Sequence, residues 1–426
     1  MFLQSYRRPL IAAVGNTLSI RVLGLISTFG FASIASFLLP ANDFGQLATL
    51  LSMILFMGTI GEFGQRDLVA REISKGLALR DAGHSSEKAS LAVIISLVFG
   101  LFCGLVVAGF YMANGATPTI VFCSNILTVI LSINGALSGI GRAHGMFVWA
   151  MAPREVLWRL LTLAIILLIL GLVGNATIET GAISLLSALL ICVGLQFFRF
   201  NSIGFVPTLS FLKLKECLDL KYLKSSFDLM MVNAAGLILV SMDVVAVGIL
   251  LGNEDAAQYF PANRIAILTI YVQVTLNLAI APRLAQEFAQ DRTSQALRIC
   301  RDTTKLAFLA GGIVLAIIVF SRPFLPIIFG TANDTTWLVA VILATGHLVT
   351  IATGFGGTAL VAAGRERSVR DVMIWTVPFC LAAIACACLF GSIVFVAAAV
   401  ALATVIRGVL IAYTCRTLVG GHAAIA

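Results

Sequence analysis

The sequence predicts an all-α integral membrane protein, with about twelve transmembrane helices in two six-helix lobes around a central cavity. Three observations predict it. Of 426 residues, 60% are hydrophobic and 11% charged, with a mean hydropathy of +1.03. A soluble domain carries about a quarter charged residues. The apolar residues come in long runs, such as 22–39, 160–173 and 393–406. With their flanks these reach the roughly 20 helical residues that cross ~30 Å of hydrocarbon. The runs also lack period-two alternation, so they are helices rather than barrel strands.

The first helix is expected over 11–39, after Arg7 and Arg8. Its apolar stretch is too long for a cleaved signal and no early small-x-small site follows, so it is read as a retained span. The next five are expected over 44–65, 89–113, 118–141, 153–173 and 181–200. The last six are expected over 226–251, 256–281, 305–328, 335–362, 369–390 and 392–415.

The connectors alternate in charge. After every even-numbered helix comes a basic segment: Arg66, Arg71, Lys75, Arg80 and Lys88; Arg142 and Arg154; Lys213, Lys215, Lys221 and Lys224; Arg283, Arg292, Arg298 and Arg301; Arg365, Arg367 and Arg370. The opposite connectors are short and hold no Lys or Arg. Excess Lys and Arg marks the cytoplasmic side, so an even helix count with both termini in the cytoplasm is expected. The net charge of +8 is then membrane topology, aided by anionic lipid head groups, and does not indicate nucleic acid.

The chain carries a faint internal repeat. A shift of 212 lays Pro40–Leu47 on Gly252–Tyr259, each block opening the second helix of its half, and lays Arg71 on Arg283. The basic segment 213–224 then divides the chain into lobes 1–212 and 213–426. An even number of helices per half makes this a parallel repeat, the layout of a two-lobed transporter with alternating access.

Several chemistries find no motif here. The sequence has no GxxxxGK[ST] phosphate loop, no HExxH and no GxSxG, so no enzyme is expected. The short outer connectors leave no room for the catalytic loops of a membrane glycosyltransferase or polymerase. The nine cysteines form no CxxC pair and no metal-ligand spacing, and read as small packing residues; no metal or other cofactor is expected. Of four histidines only His347 lies deep in a helix, where it reads as a polar packing residue.

Charges inside the membrane are costly and therefore informative. Asp243 and Arg264 each lie about eight residues from the outer turn that joins helices seven and eight, roughly 12 Å deep at ~1.5 Å per residue. They can meet there, either pinning the hairpin or facing the cavity. Arg21 and Glu62 fall at matching depths near the inner face and are gate candidates, and Arg407 is a further cavity candidate.

The stretch 37–47, then Gly61-Glu62-Phe63-Gly64, then Val69-Ala-Arg71-Glu72-Ile73 resembles the opening of polysaccharide and O-antigen flippases. These belong to the multidrug/oligosaccharidyl-lipid/polysaccharide exporter superfamily. Met242-Asp243, Ala262-Asn-Arg264 and Ala363-Gly364-Arg365 are similar to later family motifs. Pro40 sits one place early, and Glu62-Phe63 stands where the family usually has Asp-Leu. The resemblance implies a transporter in the inner (plasma) membrane that flips a polyprenyl-pyrophosphate-linked oligosaccharide to the outer leaflet for O-antigen, exopolysaccharide or lipopolysaccharide biosynthesis. It implies membrane lipids and other polysaccharide assembly proteins as partners. Arg264, with Arg21 and Arg407, would hold the pyrophosphate, and Asp243 would hold Arg264 in the empty state. The main rival is a multidrug or cation exporter of the same fold.

Overall fold

The computed structural model describes residues 2–79, 81–201 and 219–420. Arg80, Lys213, Lys215 and the expected boundary at 212/213 lie outside them. The described chain is helical, with ten helices long and apolar enough to cross a membrane. The bent helix over Leu220–Leu250 raises the count to eleven. The helix Asn253–Ala289 is long enough to cross but less apolar, and with it the described chain is consistent with about twelve helices.

Two compact units result, Met1–Leu237 and Ile238–Ala426. The first contains α1 (Phe2–Leu38), α2 (Ala41–Gly61), α3 (Gln65–Ala78), α4 (Ala82–Ala113), α5 (Pro118–Ala143), α6 (Phe147–Ala152), α7 (Trp158–Val173), α8 (Ile178–Asn201) and the first half of α9 (Leu220–Leu250). The second contains the rest of α9, then α10 (Asn253–Ala289), α11 (Thr293–Phe320), α12 (Leu325–Ile328), α13 (Asp334–Ala352), α14 (Gly356–Ala362), α15 (Glu366–Cys388) and α16 (Ile393–Val419).

The helices form because long apolar runs in a lipid solvent must satisfy their backbone internally. Helix ends coincide with residues that suit them. Pro118 opens α5, where its missing N–H costs nothing. Asn333 closes a capping box with Thr336 at the start of α13. Gly174 and Gly420 end α7 and α16 in the left-handed conformation.

Five spans expected as single helices are interrupted or bent: the seventh bends by 61° between Ile238 and Ser241, the ninth breaks at Ser321–Phe324, between α11 and α12, and three others are broken or widened. The second breaks at Glu62–Gly64, between α2 and α3, where Phe63 and Gly64 both have positive φ. The tenth breaks at Thr353–Phe355, between α13 and α14. The fifth widens to i+5 hydrogen bonding over Pro153–Leu157, between α6 and α7. Pro153 has no N–H to give the helix, which favours such a bulge.

Candidate functional site

The first unit concentrates charge at the break between α2 and α3. Glu62 is fully buried there. Its carboxylate accepts from Arg154 Nη1 at 3.0 Å and lies 3.6 Å from Arg66 Nε. The widened turn over Pro153–Leu157 carries Arg154 to this point. Space for the carboxylate comes from Gly135 on α5, where a Cβ would overlap Glu62 Oε2. The network extends outward. Asp67 meets Arg142 at 2.9 Å and Arg66 at 3.5 Å, and Arg142 also donates to the Arg66 carbonyl at 2.7 Å.

The first half of α9 is fastened onto this break. Ser226 Oγ donates to the Phe63 carbonyl, and Gln65 Nε2 donates to Ser226 Oγ at 2.6 Å. Tyr222 donates to Gln65 Oε1 at 2.8 Å, and Asn233 donates to Asp67 at 3.0 Å. Gly64 lies so close to α9 that a Cβ would collide with the Ser226 carbonyl, and its φ of 69° suits glycine. Phe63 stacks on Phe99 with ring centroids 4.0 Å apart.

Glu62 was paired with Arg21 by depth in the sequence. The structure corrects this: Glu62 is taken by Arg154 and Arg66, and Arg21 Nε is buried without a hydrogen-bond partner. Depth along a helix does not encode which face a side chain occupies. Arg154 and Arg66 had been read only as topological charges.

The second unit holds the other candidates. Asp243, 1% exposed, accepts from Tyr259 at 2.9 Å, from Asn263 at 2.8 Å and from the Val244 N–H at 2.9 Å. Tyr259 and Asn263 are one helical turn apart on α10, so both reach the same carboxylate. Arg264 is near enough for its charge to act on Asp243 but makes no ion pair with it. Its guanidinium lies over the Phe260 ring, 4.6 Å from the centroid, and its Nε is buried without a partner. Adjacency in sequence explains the exchange: Asn263 points at Asp243, and Arg264, 100° further round the helix, points elsewhere.

Arg407 on α16 repeats this condition, with its Nε buried and without a partner. Cys380 on α15 lies within electrostatic range of both Asp243 and Arg407, and His347 within range of Arg407. Asn263 Oδ1 and Thr269 Oγ1 are also buried without partners. The interior of this unit thus holds one fully coordinated carboxylate and two under-coordinated guanidinium groups. A buried polar group left unpaired costs about 1–3 kcal/mol, and more when charged. An arrangement that retains two such forks suits an anion that offers several oxygens.

Comparison with known proteins places these features. A family profile described as polysaccharide biosynthesis protein matches residues 12–288, and a profile described as MatE matches residues 229–384. The succinoglycan biosynthesis transport protein ExoT of Rhizobium meliloti (strain 1021) is 26% identical over 337 residues. That match covers 76% of this chain but only 64% of ExoT, less than two thirds of its length. Among solved structures, an inward-facing multidrug resistance MATE family transporter of the MOP superfamily superposes with a TM-score of 0.72 at 15% identity, covering 96% of this chain and 98% of that one. An outward-facing MATE transporter of the same superfamily gives 0.61 at 16% identity, covering 96% and 95%. At such identities the likeness establishes the fold. With the apolar helices, it makes the chain a multi-pass membrane protein.

Two stability predictions follow from the geometry. Removing one member of a buried ion pair costs about 3–5 kcal/mol, because the other is left uncompensated. Arg154→Ala is therefore expected to lower the thermal midpoint of the purified protein more than the double variant Glu62→Gln/Arg154→Ala does. A double-mutant cycle by fluorescence-monitored unfolding in one detergent measures the difference. Tyr259→Phe deletes one of three donors to Asp243 and is expected to destabilise by about 1–3 kcal/mol. In the same assay Tyr271→Phe, which leaves all three of those donors in place, should have a smaller effect.

Proposed function

The chain belongs to the polysaccharide biosynthesis protein family, and on that premise we propose that it turns a polyprenyl-pyrophosphate-linked oligosaccharide from the cytoplasmic to the outer leaflet of the cell membrane. The observation that carries this reading is the pair Arg264 and Arg407, both half-buried, each with a buried Nε that has no hydrogen-bond partner. A pyrophosphate has several acceptor oxygens and at least two negative charges. Guanidinium forks match it in geometry and sign. The lipid tail stays in the bilayer, so the protein has to shelter only the charged head and the sugars.

Orientation follows from charge. Basic connectors follow every even-numbered expected helix and Lys and Arg collect in the cytoplasm, which supports a reading with both termini inside. The units Met1–Leu237 and Ile238–Ala426 are the bodies that alternate in this scheme, in place of lobes divided at 212/213, and α9 runs from one into the other. The Glu62–Gly64 break, held by Arg154 and Arg66, is the inner gate in this scheme, and Arg21 remains a separate candidate. The sequence has no GxxxxGK[ST] loop, so we assign transport and no catalysis to the chain, driven by an ion gradient, the membrane potential or consumption of the product.

A second reading, a multidrug or cation exporter, is favoured by the MatE match and the fold neighbours. Such a transporter needs an available carboxylate. Asp243 already accepts three hydrogen bonds, which leaves its charge poorly placed for a cationic drug.

The test is complementation of a cell that lacks its own polysaccharide flippase, at matched membrane expression. Wild type is expected to restore surface polysaccharide. Arg264→Ala and Arg407→Ala should each lower it about tenfold or more, since a charge-assisted hydrogen bond is worth about 1.5–3 kcal/mol. Arg264→Lys should recover part of it. Lowered accumulation of cationic dyes without any restored polysaccharide would install the exporter reading instead.

A further inference from the structure

The second unit has a surface groove away from Arg264 and Arg407 in sequence and different in character. It has a volume of about 780 Å³ and is lined by Arg283, Ser294, Gln295, Arg298, Asp302 and Thr303, with Ile299. Arg283 comes from the last turns of α10 and the others from the first turns of α11. The opposite faces of these two helices contribute Leu284, Ala296, Leu297 and Cys300 to one core, so the walls of the groove are held by packing.

Its charge is unspent. Arg298 and Asp302 approach only to 3.9 Å, with side chains 84% and 66% exposed. Arg283, and Arg292, Arg301 and Lys305 nearby, form no ion pair among the described residues. Further along α11 the exposed side chains turn apolar: Leu306, Leu309, Ile313, Ile317 and Phe320. Spaced three or four residues apart, they continue the line of Arg298 and Asp302 up one face of the helix. The groove therefore sits where a basic surface meets a face suited to hydrocarbon.

We propose that this groove binds the head group of an anionic glycerophospholipid. The phosphate would lie between Arg283 and Arg298, with Ser294 and Thr303 as hydroxyl donors and Gln295 as an amide donor. The acyl chains would then run along Leu306, Leu309 and Ile313. A free phosphate would make no use of that apolar stripe, whereas a lipid uses both halves of the surface. The basic end of the helices is also the end where anionic lipid attracts Lys and Arg. This inference rests on the chain's spanning a membrane and is independent of its cargo.

The test uses the full-length protein in nanodiscs of phosphatidylcholine doped with phosphatidylglycerol, with bound lipid read by native mass spectrometry. Phosphatidylglycerol should be retained in preference to phosphatidylcholine. Arg283→Ala/Arg298→Ala should lower its apparent affinity about tenfold or more and leave phosphatidylcholine unchanged. Asp302→Asn, which removes the competing carboxylate, should raise the affinity. Arg367→Ala/Arg370→Ala, on α15, is the control for loss of general surface charge. Equal phosphatidylglycerol retention by wild type and the double variant would overturn the proposal. So would an equal loss in the α15 control, or displacement of the lipid by inorganic phosphate at equal concentration.

Discussion

A bilayer interior offers no hydrogen bonds, and every polar group placed there must find its partner inside the protein or pay a desolvation penalty. Most of this chain obeys by being helix. Where the helix is broken, side chains take over. At the Glu62–Gly64 break the Phe63 carbonyl accepts from Ser226 and the Glu62 carbonyl accepts from Ser96 at 3.3 Å. At the Thr353–Phe355 break the Gly354 carbonyl accepts from Gln273, and Thr358 pairs with Asn277. At the widened turn after Pro153, the Glu155 carbonyl accepts from Ser27 and Arg159. Each of these interruptions is stabilised by groups from a neighbouring element. The position of a break therefore determines which helices must stay together for it to persist.

The same constraint explains what could be read in the sequence. Spans were legible because apolar length is a one-dimensional property, and the charge alternation of the connectors is as well. Twelve helices and their order followed from those two signals. Breaks were less legible. Gly61-Glu62-Phe63-Gly64 matches a family motif, but its meaning as a helix end lies in the two glycines around a buried acid. The internal repeat did not help, because α10, which pairs with this region by the 212-residue shift, runs unbroken through Asn253–Ala289. Pairings were the least legible. Depth arguments placed Arg264 beside Asp243 and Arg21 beside Glu62, but rotation about the helix axis decides contact. Asn263 and Arg154 took those places.

The two units pair their buried carboxylates differently. In the first, Glu62 has two arginines, Asp67 has two, and the network reaches α9 through Asn233. Such a cluster is ion-paired on both carboxylates, although Glu62 Oε1 and Arg142 Nε have no hydrogen-bond partner. Its ion pairs hold α2, α3, α5 and the turn after Pro153 together. In the second, Asp243 has three neutral donors, and the nearby cations Arg264 and Arg407 are left with unpaired Nε groups. Neutral donors stabilise the carboxylate without consuming a cation, so the positive charge of this interior stays available.

That division bears on the sign of what this interior can hold. Were Asp243 bonded to Arg264, the pair would be neutral and its opening would cost several kcal/mol before any ligand gained a contact. Coordination of Asp243 by Tyr259 and Asn263 avoids this cost. An anion approaching Arg264 then competes with the face of the Phe260 ring, whose hold on a cation is about 0.5–2 kcal/mol, and with the charge of Asp243, which acts on Arg264 without bonding it. A phosphate oxygen offers more than that to a desolvated guanidinium. The ring keeps the side chain ordered while the cation waits, and yields to a stronger partner. A cation, by contrast, meets two guanidinium groups and an acid whose lone pairs are already engaged. On the proposed reading, the neutral donors around Asp243 leave Arg264 and Arg407 available to an anion.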